Sequence, residues 1–210
     1  AGNGDDAGSS GANSYGGGGG GGGGGGSSSD GGTSSAKDSG GGGGGGGCTA
    51  FTGVLAAFDF TGAPGDQAST SPSSSAPGIG AGDVTRSSSV TGTTGADSMN
   101  SSGWGTGSSA DTSKYYTFTI TPDSKCALDI TSVSVDSKAS GTGPAKGAVA
   151  TSDDSFGSKT AFTPGSAGSV TASVSGASGA LEIRVYGYSA SSGSGTFRVQ
   201  NTLAVNGSLH

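Results

Sequence analysis

Apolar and polar residues alternate with a period of two through much of the second half of the chain. Across Lys114–Thr121 the apolar positions are Tyr116, Phe118 and Ile120. Across Ala180–Tyr188 they are Leu181, Ile183 and Val185, with Glu182, Arg184, Tyr186 and Tyr188 opposite. Phe197 with Val199, Leu203 with Val205, and Val170 with Ala172 and Val174 repeat the pattern. Successive side chains of a strand point to opposite faces, so each stretch predicts a half-buried strand. Leu128 and Ile130 alternate in one phase and Val133 and Val135 in the other, which predicts a bulge near Thr131–Ser132. Phe51 to Phe60 is denser in apolar residues and reads either as a strand covered on both faces or as a core strand beside a cysteine. Turn chemistry at Pro122–Asp123, Gly143–Pro144, Pro164–Gly165 and Ser192–Gly195 separates these runs. The 3.6-residue apolar period of a helix is missing throughout. The expectation is an all-β fold over residues 48–210, an antiparallel β-sandwich or jelly roll of about seven to nine strands. Thr61 to Gly82, rich in Ser, Pro and Gly, reads as a long surface loop.

Residues 1–47 carry almost no apolar side chain beyond alanines and Tyr15. Two glycine runs dominate them, eleven residues from Gly16 to Gly26 and eight from Gly40 to Gly47. Glycine has no side chain to bury and loses the most backbone entropy on ordering, so such a segment is a flexible linker unless something holds it. Only fifteen residues precede the first run, which favours an arm that assembles over a linker between domains. Polyglycine suits an extended threefold helix at about 3.1 Å per residue, which gives the first run a span of roughly 34 Å. Neighbouring tracts of this kind could bundle, or the arm could add a strand to the edge of another sandwich.

Charge and cysteine content narrow the setting. The net charge is −6 and only 11% of residues are charged. An acidic chain is a poor match for phosphate backbones, so nucleic acid is not an expected partner. Cys48 and Cys126 are the two cysteines. A disulfide between them would close a loop of ~78 residues and fit an extracellular compartment; two unrelated buried thiols are the alternative. The chain starts at Ala1 and has no apolar stretch near 18 residues, so a processed, secreted protein with no membrane span is expected.

Candidate chemistry is sparse. The single histidine is His210, the last residue, so neither a Ser-His-Asp set nor a four-ligand zinc site can be composed. The glycine runs lack the Lys-Ser/Thr of a phosphate-binding loop, since Cys48-Thr-Ala follows Gly47. No cofactor is expected. Asp153 and Asp154, in a predicted loop, are the candidates for a calcium site, against the simpler reading of solvated turn aspartates. Trp104, Tyr115, Tyr186 and Tyr188 could stack on sugar rings; alternatively both faces of the Leu181–Tyr188 strand are covered. Asn100 and Asn206 head Asn-x-Ser sequons, a pattern that arises often by chance.

The order of motifs carries a resemblance. Leu55-Ala-Ala-Phe-Asp-Phe60 comes first, then Asn100-Ser-Ser-Gly-Trp104, Tyr115-Tyr-Thr-Phe-Thr-Ile-Thr-Pro122 and Gly143-Pro144. Ser152-Asp-Asp-Ser-Phe156, Glu182-Ile-Arg-Val-Tyr-Gly-Tyr188 and Gly195-Thr-Phe-Arg-Val199 follow. From Leu55 to Leu209 the chain resembles a β-sandwich domain of secreted bacterial surface proteins, found beside extracellular nuclease or phosphatase domains or before a C-terminal sorting segment. The resemblance implies a sandwich and a cell-surface location, and no activity. The leading expectation is a non-enzymatic subunit of an extracellular filament, sheath or matrix, a homopolymer assembled through the glycine-rich arm. A carbohydrate-binding or adhesion module on a flexible tether is the alternative, and an accessory domain of a secreted hydrolase comes third.

Overall fold

The computed structural model describes residues 47–165 and 167–210, and the calls on Gly16, Gly26 and Gly40 lie outside them. Fifteen strands follow in order: β1 (Phe51–Asp59), β2 (Pro64–Gly65), β3 (Ser69–Thr70), β4 (Ser74–Ser75), β5 (Ile79–Ala81), β6 (Val84–Arg86), β7 (Thr91–Gly92), β8 (Ser98–Ser102), β9 (Tyr115–Pro122), β10 (Leu128–Ala139), β11 (Pro144–Thr151), β12 (Thr160–Phe162), β13 (Gly168–Ala177), β14 (Leu181–Ala190) and β15 (Phe197–Leu209). Eight of them have five residues or more. Of those eight, β9, β10, β13, β14 and β15 hold the alternating stretches read from sequence, β1 holds the dense apolar segment, and β8 and β11 were not anticipated; the rest are pieces of two or three residues. One 3-10 turn, Ser152–Asp154, is the sole helical element among the described residues.

The strands form two sheets packed as a sandwich. The first runs β13-β10-β15-β1-β4, with β8 also on β15 and β2 and β7 on β8. The second runs β12-β11-β14-β9-β6-β3, with β5 also on β9. All pairings are antiparallel except β2 with β8.

The phase changes in the sequence are bulges. In β10 the register slips between Ile130 and Ser132 against both neighbours, so Ile130 and Val133 both face the core. In β1 it slips between Val54 and Ala56, which turns Leu55, Ala56 and Phe58 all inward. Dense apolar spacing in Phe51–Phe60 therefore comes from a bulge in a strand with one inner face. Phe197/Val199 and Leu203/Val205 belong to one strand, interrupted where Asn201 has a φ of 50°.

Side chains from both sheets meet in one core. Phe58 and Phe118 pack edge to face with centroids 4.9 Å apart. Trp104 lies edge-on to Tyr116 and Phe197, each at 5.3 Å. The Tyr116 hydroxyl, from the second sheet, donates to the Phe197 carbonyl of the first at 2.6 Å. Trp104 comes this close because Gly187 has no side chain; a Cβ there would sit 3.1 Å from the indole and 2.9 Å from Pro144.

The expected loop Thr61–Gly82 is instead woven into both sheets through β2, β3, β4 and β5, and it buries Ala76 and Ile79. The guanidinium of Arg86 organises its start. It donates to the carbonyls of Gly65, Asp66 and Gln67 at 3.0, 3.1 and 2.6 Å and to Ser101 Oγ at 3.1 Å. Three of these bonds satisfy backbone acceptors that a two-residue strand cannot. Gly65 sits at a φ of 99°, against the Gly95 backbone, where no side chain fits.

Cys48 and Cys126 form a disulfide, with Cα atoms 4.9 Å apart. It ties the residues before β1 to the connection between β9 and β10. At this end Leu128 pairs with Leu209, Leu209 with Phe51, and the backbones of Ala127 and His210 bond to each other in both directions. Closing a 78-residue separation removes unfolded-chain entropy worth roughly 4 kcal/mol. The double variant Cys48→Ser, Cys126→Ser should lose stability of that order in urea titration, with the strand signature retained in circular dichroism.

Candidate functional site

The outer face of the second sheet is where sequence placed an aromatic platform, and a second small cluster is built there. Tyr186 and Tyr188 point outward from β14 and pack with Ala148 and Ala150 of β11, with Tyr115, Phe156 and Ala110 at the margin. Gly105–Asp111 folds over the end of β14, where Ser189 N–H and Ala190 N–H donate to the carbonyls of Gly107 and Gly105.

Arg184 fills the platform. Its guanidinium lies 4.0 Å from the Tyr115 ring centre and 3.8 Å from that of Phe156, held between two aromatic faces. Its Nε donates to Glu182 Oε1 at 2.7 Å, and the Thr117 hydroxyl donates to the same oxygen at 2.8 Å. Phe156 reaches the guanidinium because Ser155 and Phe156, at φ of 58° and 62°, turn the chain sharply after Ser152–Asp154. Lys159 Nζ donates to the Phe156 carbonyl at 2.6 Å and sits 5.7 Å from the Tyr186 ring centre. Sequence alternation located the tyrosines on the outer face. It carried no signal that the Arg184 two positions before Tyr186 would occupy their surface.

This corrects the stacking assignment. Trp104 is 1% exposed and donates its indole N–H to the Ser101 carbonyl at 2.7 Å. Tyr186 is fully buried and Tyr188 nearly so. Tyr115 is half-buried with a protein cation on its ring. A sugar ring needs an open aromatic face, and these four residues present none. The Tyr186 hydroxyl is buried with no hydrogen-bond partner, and burial raises its pKa, partly countered by Arg184.

The aspartate loop is closed on itself. Asp154 accepts from Gly157 N–H at 3.1 Å and Ser158 N–H at 2.7 Å, and the bonds from Ser158 hold its carboxyl below the ordinary range. Asp153 lies beside it in the 3-10 turn, and no group of three His, Cys, Asp or Glu side chains able to hold a metal occurs among the described residues. A calcium ion at Asp153 and Asp154 would share the Asp154 oxygens with the backbone donors of Gly157 and Ser158. Asp111 repeats the motif with Ser113, whose N–H and hydroxyl lower it, and Asp59 does so with Thr61. His210 Nδ1 lies 3.7 Å from Asp129 Oδ2. Of the sequon residues, Asn100 is buried with its amide nitrogen bonded to the Thr94 carbonyl, and Asn206 donates to the hydroxyls of Ser132 and Ser134.

Edges complete the inventory. The first sheet ends in β13 and β4, the second in β12 and β3. Three of these four have three residues or fewer, whereas β13 has ten and pairs with β10 alone among the described residues. Its sequence, GSVTASVSGA, turns Val170, Ala172 and Val174 inward and Ser169, Thr171, Ser173 and Ser175 outward, without a charge or a proline. No helix among the described residues is long and apolar enough to cross a membrane. Comparison with protein-family models, curated proteins and solved structures finds no match to this chain.

Arg184→Ala should cost about 1–2 kcal/mol, the combined worth of two ring contacts and a partly exposed ion pair. Lys at that position should recover little, because a point charge cannot lie flat against both rings. Tyr186→Phe should be neutral or stabilising by up to about 1 kcal/mol, since it removes a buried hydroxyl without a partner. Urea titration of the three variants measures all of these.

Acid sensitivity follows from the lowered carboxyls of Asp59, Asp111, Asp129 and Asp154. Their folded pKa values lie below the unfolded ones, so the stability they contribute is complete above the unfolded range near pH 4 and is lost as pH falls through the folded values. Urea midpoints measured from pH 7 to 2 should be level down to about pH 5 and fall below about pH 4. A midpoint that rises on acidification would contradict this reading.

Proposed function

We propose that the chain is a non-enzymatic structural subunit of an extracellular filament, sheath or matrix, and that the glycine-rich segment of one copy adds as a strand to β13 of another. The long edge of β13, free of charge and proline, carries this reading. Long edge strands are templates for further pairing, and proteins that must stay apart blunt them with charge, proline, bulges or short length. Here the other three edges are short, and the long one, although bulged opposite Leu128–Ser132, has neither a charge nor a proline. The occupant is the run Gly16–Gly26. Its eleven residues match the ten of β13, a strand of roughly 33 Å. A strand without side chains makes every backbone hydrogen bond and imposes no steric demand on what stacks over it. Twenty residues, 27–46, separate that run from Gly47, a reach of up to about 70 Å when extended. Gly47 itself is exposed, with nothing within 4 Å of where a Cβ would stand.

An oxidising, extracellular setting is supported by the disulfide and by the resemblance to secreted bacterial surface sandwiches. A catalytic reading has little to build on. The one histidine sits at residue 210 against Asp129, and the outer-face carboxylate of Glu182 is spent on Arg184 and Thr117.

Electron microscopy and sedimentation of the full chain should show a polymer. Thr171→Lys with Ser173→Lys, both exposed on β13, should reduce assembly at least about tenfold while leaving the monomer's melting curve within about 1 kcal/mol, because charge on an edge strand opposes pairing. Removal of residues 1–46 should abolish assembly. Polymers that form equally well without those residues would refute the arm. Assembly that needs the arm yet ignores the lysines would move the acceptor away from β13.

A further inference from the structure

On the outer face of the first sheet, three residues lie in a row across three strands. Lys138 of β10 is directly opposite Arg198 of β15, and Arg198 is directly opposite Asn100 of β8. Directly opposed side chains are about 5 Å apart at Cβ, and like charges placed so are destabilising. No carboxylate relieves this pair: the ion pairs among the described residues involve neither Lys138 nor Arg198. Asp136, two residues before Lys138 on the same face, is held by the side-chain amides of Gln200 and Asn201. In a chain of net charge −6 with nine Lys and Arg, two adjacent cations without a counter-ion point to an absent anion.

The row lines a pocket of about 300 Å³, bounded also by Thr94, Ser140 and Thr196. Asn100, 5% exposed, closes one wall. Its Nδ2 is fixed on the Thr94 carbonyl at 2.9 Å, and its Oδ1 is buried with no donor in reach. The pocket therefore offers two cations and several hydroxyls. Its volume is at the small end of ligand sites, the size of a single ring. An inorganic anion would answer the cations and leave the hydroxyls of Thr94, Ser140 and Thr196 unused.

We propose that this pocket binds one uronic-acid unit of an acidic polysaccharide. The sugar carboxylate lies between Lys138 and the guanidinium fork of Arg198, whose paired donors match a carboxylate. Ring hydroxyls meet Thr94 and Thr196. The site is independent of β13 and of the glycine runs, and holds whether or not the chain polymerises.

Isothermal titration of the full chain with trisaccharides of galacturonate, glucuronate and mannuronate tests it, beside their neutral methyl esters and sodium sulfate alone. At least one acid form should bind, its methyl ester should bind about tenfold more weakly or not at all, and sulfate should be weaker again. Lys138→Glu, at an exposed position, places an acid opposite Arg198. It should abolish binding while holding or raising the melting temperature, because an opposed like pair becomes an opposed unlike pair. The proposal fails if no acid trisaccharide binds, if acid and ester bind alike, if sulfate binds as well as the sugar (an inorganic anion site only), or if Lys138→Glu binds like the parent.

Discussion

Trp104, Tyr116 and Phe197 hold the two sheets in register. Tyr116 stands on β9 of the second sheet, and its hydroxyl reaches through the core to the Phe197 carbonyl on β15 of the first. Trp104, fixed by its own hydrogen bond to Ser101, fills the angle between the rings. Face-to-face sheets otherwise slide with little penalty, since hydrophobic contact has no direction. One buried bond and a set of edge-on rings supply direction. The hydroxyl is desolvated enough that its pKa is pushed well up, so it stays a donor at any ordinary pH. Arg86 adds a second link between the sheets at their flank, from β6 to β2 and β8.

What could be read from sequence divides along physical lines. Long strands with alternating side chains were legible, because alternation needs several periods to stand out: β9, β13 and β14 lie where Tyr116–Ile120, Val170–Val174 and Leu181–Val185 placed them, whereas the eight residues of β11, PAKGAVAT, do not alternate and went unread. The bulge at Thr131 was legible as a change of phase, and the cysteine pair as the sole pair available. Pieces of two or three residues have no period, so Thr61–Gly82 read as loop although its backbone is bonded into both sheets. Nothing local marks Arg86 as the donor to Gly65, Asp66 and Gln67, some twenty residues away. The aromatic platform was misread for a related reason. Alternation tells which face a tyrosine takes and not what else the fold brings to that face. The row Lys138–Arg198–Asn100 was invisible too, as it exists only in the register of three strands far apart in sequence.

The surface is unusual in what it lacks. With 11% charged residues and a net charge of −6, two copies meet little electrostatic repulsion, and Ser, Thr and Gly side chains ask for little room between backbones. Among the described residues Val54 is the one large apolar side chain left substantially exposed. Close approach of copies would thus be governed by backbone hydrogen bonding and shape more than by greasy patches or ion pairs.

The disulfide takes on a different meaning if the segment before it bears load. Tension applied at Gly47 meets Cys48 before it meets any strand, and Cys48 is bonded to Cys126 in the connection between β9 and β10. The pull then divides: part enters the first sheet through β1, and part crosses the sulfur bond into β9 of the second sheet and β10 of the first. A hydrogen-bonded strand loaded from one end opens like a zipper, one rung at a time. Here the first rung is covalent and spreads the force across both layers. The sandwich would behave as a rivet head, taking a pull at its first residues without being unravelled by it.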